Sequence, residues 1–141
     1  MRAYRHRHIV SFEETNLVGN VYYLNHLRWQ GRVRELFLKE HTPEILEELT
    51  KDLVLVTVRA ACEYYAELSA FAEVEIRMYA EQIVQNRITL RFDYLLLLED
   101  GREQLIARGE QQIACMRREG ERMVPTPLPK SLQAALARYR T

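Results

Sequence analysis

The chain has 141 residues, 48% of them hydrophobic and 28% charged, with 20 Lys+Arg against 20 Asp+Glu. That length suits one domain over residues 1–141, large enough to fold without a disulfide or a metal, and the composition excludes a disordered chain. A formal net charge of +0 gives no global field towards nucleic acid or an anionic membrane, so neither is expected as a partner.

Two cysteines, Cys62 and Cys115, supply neither a disulfide framework nor a four-ligand zinc site. Both sit in apolar, strand-like contexts and are expected as buried, reduced thiols. The basic N-terminus lacks the apolar run of a signal peptide, and no stretch approaches the ~20 apolar residues of a spanning helix. A cytoplasmic location is the expectation.

Residues 4–13 alternate loosely and end in Ile9-Val10-Ser11-Phe12, which predicts a first strand. Residues 14–20 are turn-like, with Gly19 and Asn20 able to take a positive φ. A helix is expected over 22–40, with Leu24, Leu27, Gly31, Phe37 and Leu38 recurring near a helical turn. Gly31 costs about 1 kcal/mol against Ala inside a helix, and close approach of a strand would compensate. Thr42 as N-cap and Pro43 at the first helical position open a short helix to Glu48. Strands follow from Leu53 to Glu99: Leu53–Arg59 is β-rich, and Val74/Ile76/Met78 and Ile88/Leu90/Phe92 alternate with polar residues. Glu99-Asp100-Gly101-Arg102 reads as a hairpin turn, and Leu105–Met116 as the last strand. Pro125, Pro127 and Pro129 make an extended stretch before a helix over Ser131–Arg138 capped by Ser131. Strand, long helix, then four or more antiparallel strands define an α+β domain, with a mostly apolar helix wrapped by a curved sheet.

The segment Phe12 to Phe37 carries the chemistry. Its runs Glu14-Thr-Asn-Leu-Val-Gly-Asn-Val-Tyr22 and Leu27-Arg-Trp-Gln-Gly-Arg32 resemble the strand–loop–helix signature of hotdog-fold thioesterases of the 4-hydroxybenzoyl-CoA type. Within that family the resemblance is nearest to the thioesterases of enediyne polyketide biosynthesis. It implies an antiparallel sheet around one central helix, no cofactor, and homo-oligomers that pair sheets edge to edge as a dimer or a dimer of dimers. The implied substrate is a polyene β-keto acyl chain on an acyl carrier protein, released as a β-keto acid that can lose CO₂.

The common family pattern has an Asp where this chain has Asn16. A carboxamide is neither nucleophile nor base at neutral pH; it only donates and accepts hydrogen bonds. The enediyne group shares the Asn, so the implied mechanism is electrostatic: hold the carbonyl, stabilise the oxyanion, position a water. The resemblance puts the oxyanion donor on the backbone amide of Tyr23, and the first amides of a helix do lack intrahelical partners. Asn16 offers either a second donor through Nδ2 or an acceptor for the water through Oδ1. The resemblance also brings Arg34 to the site, although eleven residues of helix separate it from Tyr23 by about 16 Å. The alternative for Arg34 is a surface charge paired with Glu35 or Glu40.

The remaining candidates line the substrate path: Gly19 in the loop, His26 where many relatives have Tyr, Trp29, and Tyr64 and Tyr65 on a strand that in this family faces the neighbouring subunit's side of the pocket. Glu13 and Glu14 are adjacent and would face opposite sides of a strand; solvated side chains are the expectation, with Glu14 or His26 directed at the site as a base the open alternative. His6 and His8 share a strand face without a third ligand and are not expected to hold a metal. No phosphate loop and no nucleophile elbow is present. Two other functions stay open: an acyl-CoA thioesterase of general metabolism, which Asn16 argues against, and an acyl-binding protein without catalysis.

Overall fold

A computed structural model describes residues 2–141. Strand β1 (Tyr4–Ile9) leads through a 3₁₀ turn (Phe12–Glu14) and a loop into helix α1 (Leu24–His41) and the short helix α2 (Pro43–Glu48). Strands β2 (Leu53–Tyr64), β3 (Glu73–Val84), β4 (Arg87–Leu97), β5 (Glu103–Glu119) and β6 (Arg122–Pro125) follow, and helix α3 (Lys130–Ala137) ends the order. The strands form one antiparallel sheet in the order β1-β3-β4-β5-β2, with β6 added to the end of β5. Register shifts at Thr57/Arg59, Ala80/Gln82 and Tyr94/Leu95 interrupt three of the pairings, and such bulges bend and twist the strands that carry them.

Alternation builds the sheet's inner face. Val74, Ile76 and Met78 of β3 and Ile88, Leu90 and Phe92 of β4 are buried, and α1 lays Trp29, Val33 and Phe37 into the same core. Helix α1 is less apolar than expected, because its buried face also carries Asn25, His26 and Gln30. The polar face of the sheet is laced with ion pairs. Glu75 is nearly buried among Arg5, Arg7 and Arg77, and Asp93 lies between Arg91 and Arg108.

Several local expectations are corrected. The first strand stops at Ile9, so Glu13 and Glu14 lie in the 3₁₀ turn rather than on a strand. A Cβ on Gly31 would meet nothing within 4 Å, so no strand approaches it. The close approach is at Gly109 on β5, where a Cβ would collide with the Gln30 carboxamide. Thr42 stands at the start of α2, but its hydroxyl donates back to the Leu38 carbonyl, 3.2 Å away, instead of capping. Pro129 occupies the cap position of α3, which puts Ser131 inside the helix. The hairpin at residues 99–102 forms, with Gly101 at φ +87°, and a second one at Gly120 adds β6. Cys115 is buried, whereas Cys62 is half-buried, its thiol pushed up to about 11 by burial.

Candidate functional site

The loop between the 3₁₀ turn and α1 closes on itself like a small hairpin. Thr15 bridges Val21, the Asn16 amide donates to the Asn20 carbonyl (2.7 Å), and the Tyr22 amide donates to the Glu14 carbonyl (2.9 Å). Gly19 turns the tip at φ +90°, a left-handed conformation that glycine adopts without a Cβ penalty. A second tie, from Val21 N–H to the Leu68 carbonyl (2.9 Å), fastens the loop to the segment before β3.

Asn16 sits exposed in this loop. Its Oδ1 accepts from the amides of Val18 (3.1 Å) and Asn20 (3.2 Å), an Asx-type turn. Those two bonds fix which way the carboxamide faces: Oδ1 is consumed by the loop, and Nδ2 points outward with no acceptor among the described residues. Of the two roles open to Asn16, this arrangement leaves the donor. Tyr23, at the cap position of α1, likewise has an amide without an acceptor among the described residues. Its carbonyl accepts from the Tyr64 hydroxyl at 2.6 Å, which pins the end of β2 to the start of the helix.

Beneath the loop, Glu14 is not solvated. Its Oε1 accepts from His8 Nε2 (2.7 Å), Ser11 N–H (2.9 Å) and Ser11 Oγ (3.1 Å), and its Oε2 from Trp29 Nε1 (2.7 Å). Burial acts to raise its pKa, but the bonds from Ser11, Trp29 and His8 outweigh that and hold it below the ordinary carboxylate range. A carboxylate with both oxygens so engaged is poorly placed to take a proton from water. Sequence reading missed it; the signal available was the Ser11-x-x-Glu14 spacing of a capping box.

His26 and Trp29 lie deeper than a substrate-lining role requires. Trp29 is 1% exposed and spends its N–H on Glu14. His26 is 3% exposed, packed against Trp29, Tyr64 and Tyr94, and neither ring nitrogen has a hydrogen-bond partner among the described residues. Burial pushes its pKa down to about 4, so the imidazole is neutral at pH 7. Tyr64 and Tyr65 are both surface-exposed, and the Tyr64 ring covers the His26 edge.

Within one chain, Arg34 does not join Asn16 and Tyr23. Its guanidinium turns towards β2 and β5, donating to Thr57 Oγ1 (2.7 Å), the Leu55 carbonyl (3.1 Å) and Gln111 Oε1 (3.3 Å). The expected alternative, a pairing with Glu35 or Glu40, is absent among the described residues; the partners are neutral. Burial lowers its pKa and Glu35 offsets part of that, but a guanidinium starts so high that it stays charged. It borders a cavity of about 700 Å³ whose walls include Leu38, Leu46, Leu49, Thr57 and Gln111. No group of three or more His, Cys, Asp or Glu side chains among the described residues could hold a metal.

A sheet curled round one long helix, with a donor-bearing loop at the helix N-terminus, defines a hotdog-fold thioester hydrolase. The chain belongs to the thioesterase-like superfamily, whose family model matches residues 10–136. It is 47% identical to the dynemicin thioesterase, a structure described for polyene binding, with a TM-score of 0.93 over 99% of this chain and 98% of that one. Two more distant structures share the fold. A mutant of 4-hydroxybenzoyl-CoA thioesterase bound to 4-hydroxybenzoyl-CoA is 16% identical, with a TM-score of 0.84 over 96% of this chain and 99% of that one. A 1,4-dihydroxy-2-naphthoyl-CoA thioesterase from Synechocystis is 20% identical, with a TM-score of 0.82 over 96% of both chains. No curated protein sequence matches the chain. No helix among the described residues is long and apolar enough to cross a membrane.

Proposed function

We propose that this protein hydrolyses a polyene β-keto acyl thioester from an acyl carrier protein in enediyne-type biosynthesis, acting as a cytoplasmic homo-oligomer, a dimer or a dimer of dimers. The observation that carries the reading is the Asn16 carboxamide, locked by its oxygen so that only a donor faces outward. That donor and the Tyr23 amide form a clamp for the thioester carbonyl. Water adds to the carbonyl carbon, the tetrahedral oxyanion is held by the two N–H groups, and collapse expels the carrier thiol and leaves the acid. One such donor is worth about 10²–10³ in rate. No base is assigned, since Glu14 is saturated and His26 has no access to water. The β-keto acid product can lose CO₂ through its own cyclic transition state, and the Arg34 charge would stabilise the enolate that forms. The 47% identity to a protein described for polyene binding supports the chain type.

A second copy completes the site in this reading. Strand β2 pairs only with β5 and leaves its other edge open, and open edges are normally paired or covered. Phe12, Leu17, Val18 and Phe71 around the Asn16 loop are strongly exposed, an apolar collar that a monomer would leave wet. A partner placed there is the route by which its Arg34 reaches this chain's Asn16.

The test is turnover of one polyene acyl group on carrier protein and on CoA, with the product identified by mass. Faster release from the carrier supports the reading. Equal or faster release from CoA turns it to a general acyl-CoA thioesterase. Tight acyl binding with turnover at the solvent rate turns it to a non-catalytic binder.

A further inference from the structure

We propose that Glu14 is the positioning residue of the carbonyl clamp, holding Asn16 and the Tyr23 amide in register through one carboxylate shared by β1, the 3₁₀ turn and α1. The proposal rests on the clamp reading above and names what keeps that clamp in shape.

The geometry is unusual in how much converges on one residue. The side chain collects His8 from β1, Ser11 twice from the start of the turn, and Trp29 from the second turn of α1. An ionised carboxylate only accepts, so His8 Nε2 carries the proton of that contact. The backbone carbonyl of the same residue collects two more donors, the Tyr22 amide (2.9 Å) and Asn25 Nδ2 (2.8 Å). Glu14 therefore holds both stems of the loop. Asn16 lies two residues beyond one stem and Tyr23 one residue beyond the other. Asn16 is fixed within the loop through its Oδ1 and Tyr23 through its carbonyl to Tyr64, but no bond joins the two donors to each other: Asn16 Nδ2 and the Tyr23 N–H are free among the described residues, and the collar around them is solvent-exposed. Their spacing is inherited from the stems. Charge matters as well as shape. Charge-assisted hydrogen bonds are roughly twice as strong as neutral ones, and here four donors, three side-chain and one backbone, meet one anion. A glutamine at this position has one acceptor oxygen, so keeping it on the His8–Ser11 side would turn its NH₂ onto the Trp29 N–H, donor against donor.

The experiment is Glu14→Gln in the full chain, assayed on a small acyl thioester beside Asn16→Ala and the double variant, with amide hydrogen exchange read over residues 15–23. The expected result is a fall in kcat of about 10–100-fold with KM little changed, as misplacement of a reacting geometry by about 1 Å produces. Exchange of the loop amides should quicken while that of β3 and β4 does not. In the Asn16→Ala background the Glu14→Gln loss should be clearly smaller than in the parent, leaving only the part that acts through the Tyr23 amide, because residues acting through one another are not additive. Unchanged loop exchange, an unchanged kcat, or the full Glu14→Gln loss persisting without Asn16 overturns the proposal. An Asn16→Ala variant at the parental kcat overturns the clamp reading and this one with it. A sensitive Asn16 beside an insensitive Glu14 overturns this one alone. If Glu14→Gln does not fold, His8→Phe keeps a ring against Trp29 (centroids 4.8 Å apart) and removes one donor. The same pattern at smaller size is expected from it, and unaltered kcat and exchange overturn the proposal.

Discussion

Two regions of α1 hold its polar chemistry, and they are built on opposite plans. At the N-terminal end the Glu14 carboxylate is saturated with donors and its charge is used up inside the fold, leaving two neutral N–H groups facing solvent. About three turns further on, Arg34 is a half-desolvated cation whose hydrogen-bond partners are all neutral. One region neutralises its ion and exports dipoles; the other keeps a cation without a salt bridge beside a cavity. The difference teaches how a thioesterase can work without the usual acid. In the proposed reaction the oxyanion would be met by fixed dipoles and a standing positive charge, with the Glu14 carboxylate held inside the fold.

The sharpest way to break this comparison is to remove a donor from the first region. Asn16→Ala should lower kcat by about 10²–10³, the effect of one lost oxyanion donor, with little change in Tm because Asn16 is exposed. Steady-state kinetics beside a thermal melt checks it; a kcat equal to the parent's would show that the Tyr23 amide works alone.

Between the two regions lies His26, and its test is pH. Its folded pKa is depressed to about 4, whereas an unfolded His titrates near the ordinary 6.5. As pH falls below about 6.5 the unfolded chain takes up a proton that the folded one refuses. Stability is therefore full above that pH and is lost progressively down to about 4, by up to about 3 kcal/mol. Denaturant midpoints at pH 7.5 and 4.5 measure it. His26→Phe should flatten that part of the profile, and an unaltered slope in the variant would assign the acid sensitivity to other groups.

Much of the fold was legible because it rests on local patterns. Alternation in β3 and β4, the Asp100-Gly101 turn and the Thr42-Pro43 helix start all announce themselves within a few residues. The site was legible in part, through the loop spacing and the amide in place of an acid. What stayed hidden depends on partners far along the chain. Arg34 finds Thr57 and Gln111, 23 and 77 residues away, while its neighbours Glu35 and Glu40 suggested a surface pair. Glu14 looked like half of an exposed acidic pair because strand alternation was carried four residues too far. Gly31 drew attention as a glycine in a helix, yet the glycine that packing requires is Gly109, in a strand where nothing in the local sequence marks it.

Arg34 tests the second region. Arg34→Ala should lower kcat on a small thioester lacking any carrier protein by about 10–10²-fold, the range of one charge-assisted hydrogen bond. Arg34→Lys should recover part of that, since the charge survives and the fork geometry does not. A loss confined to carrier-bound substrate would make Arg34 a docking residue and end the comparison as a statement about catalysis.

The smallest effect probes the helix seam that keeps the two regions at a fixed separation. Gln30 is fully buried, one turn before Arg34 and one after His26, and its Nε2 donates to the Ala61 carbonyl at 3.0 Å. That reach is possible because Gly109 opposite has no Cβ; a methyl there would overlap the Gln30 amide and stand 3.2 Å from the Ala61 oxygen. Gly109→Ala should therefore push Gln30 off its acceptor and cost about 1–2 kcal/mol, a few degrees in Tm. In a Gln30→Ala background the obstruction is largely gone. There the same substitution replaces a flexible residue in a strand by one that loses less entropy on folding, and it should be close to neutral or slightly stabilising. A double-mutant cycle from denaturant unfolding reads the difference directly. Equal penalties in both backgrounds would mean that the cost at Gly109 comes from the sheet itself, and that Gln30 does not couple α1 to β5.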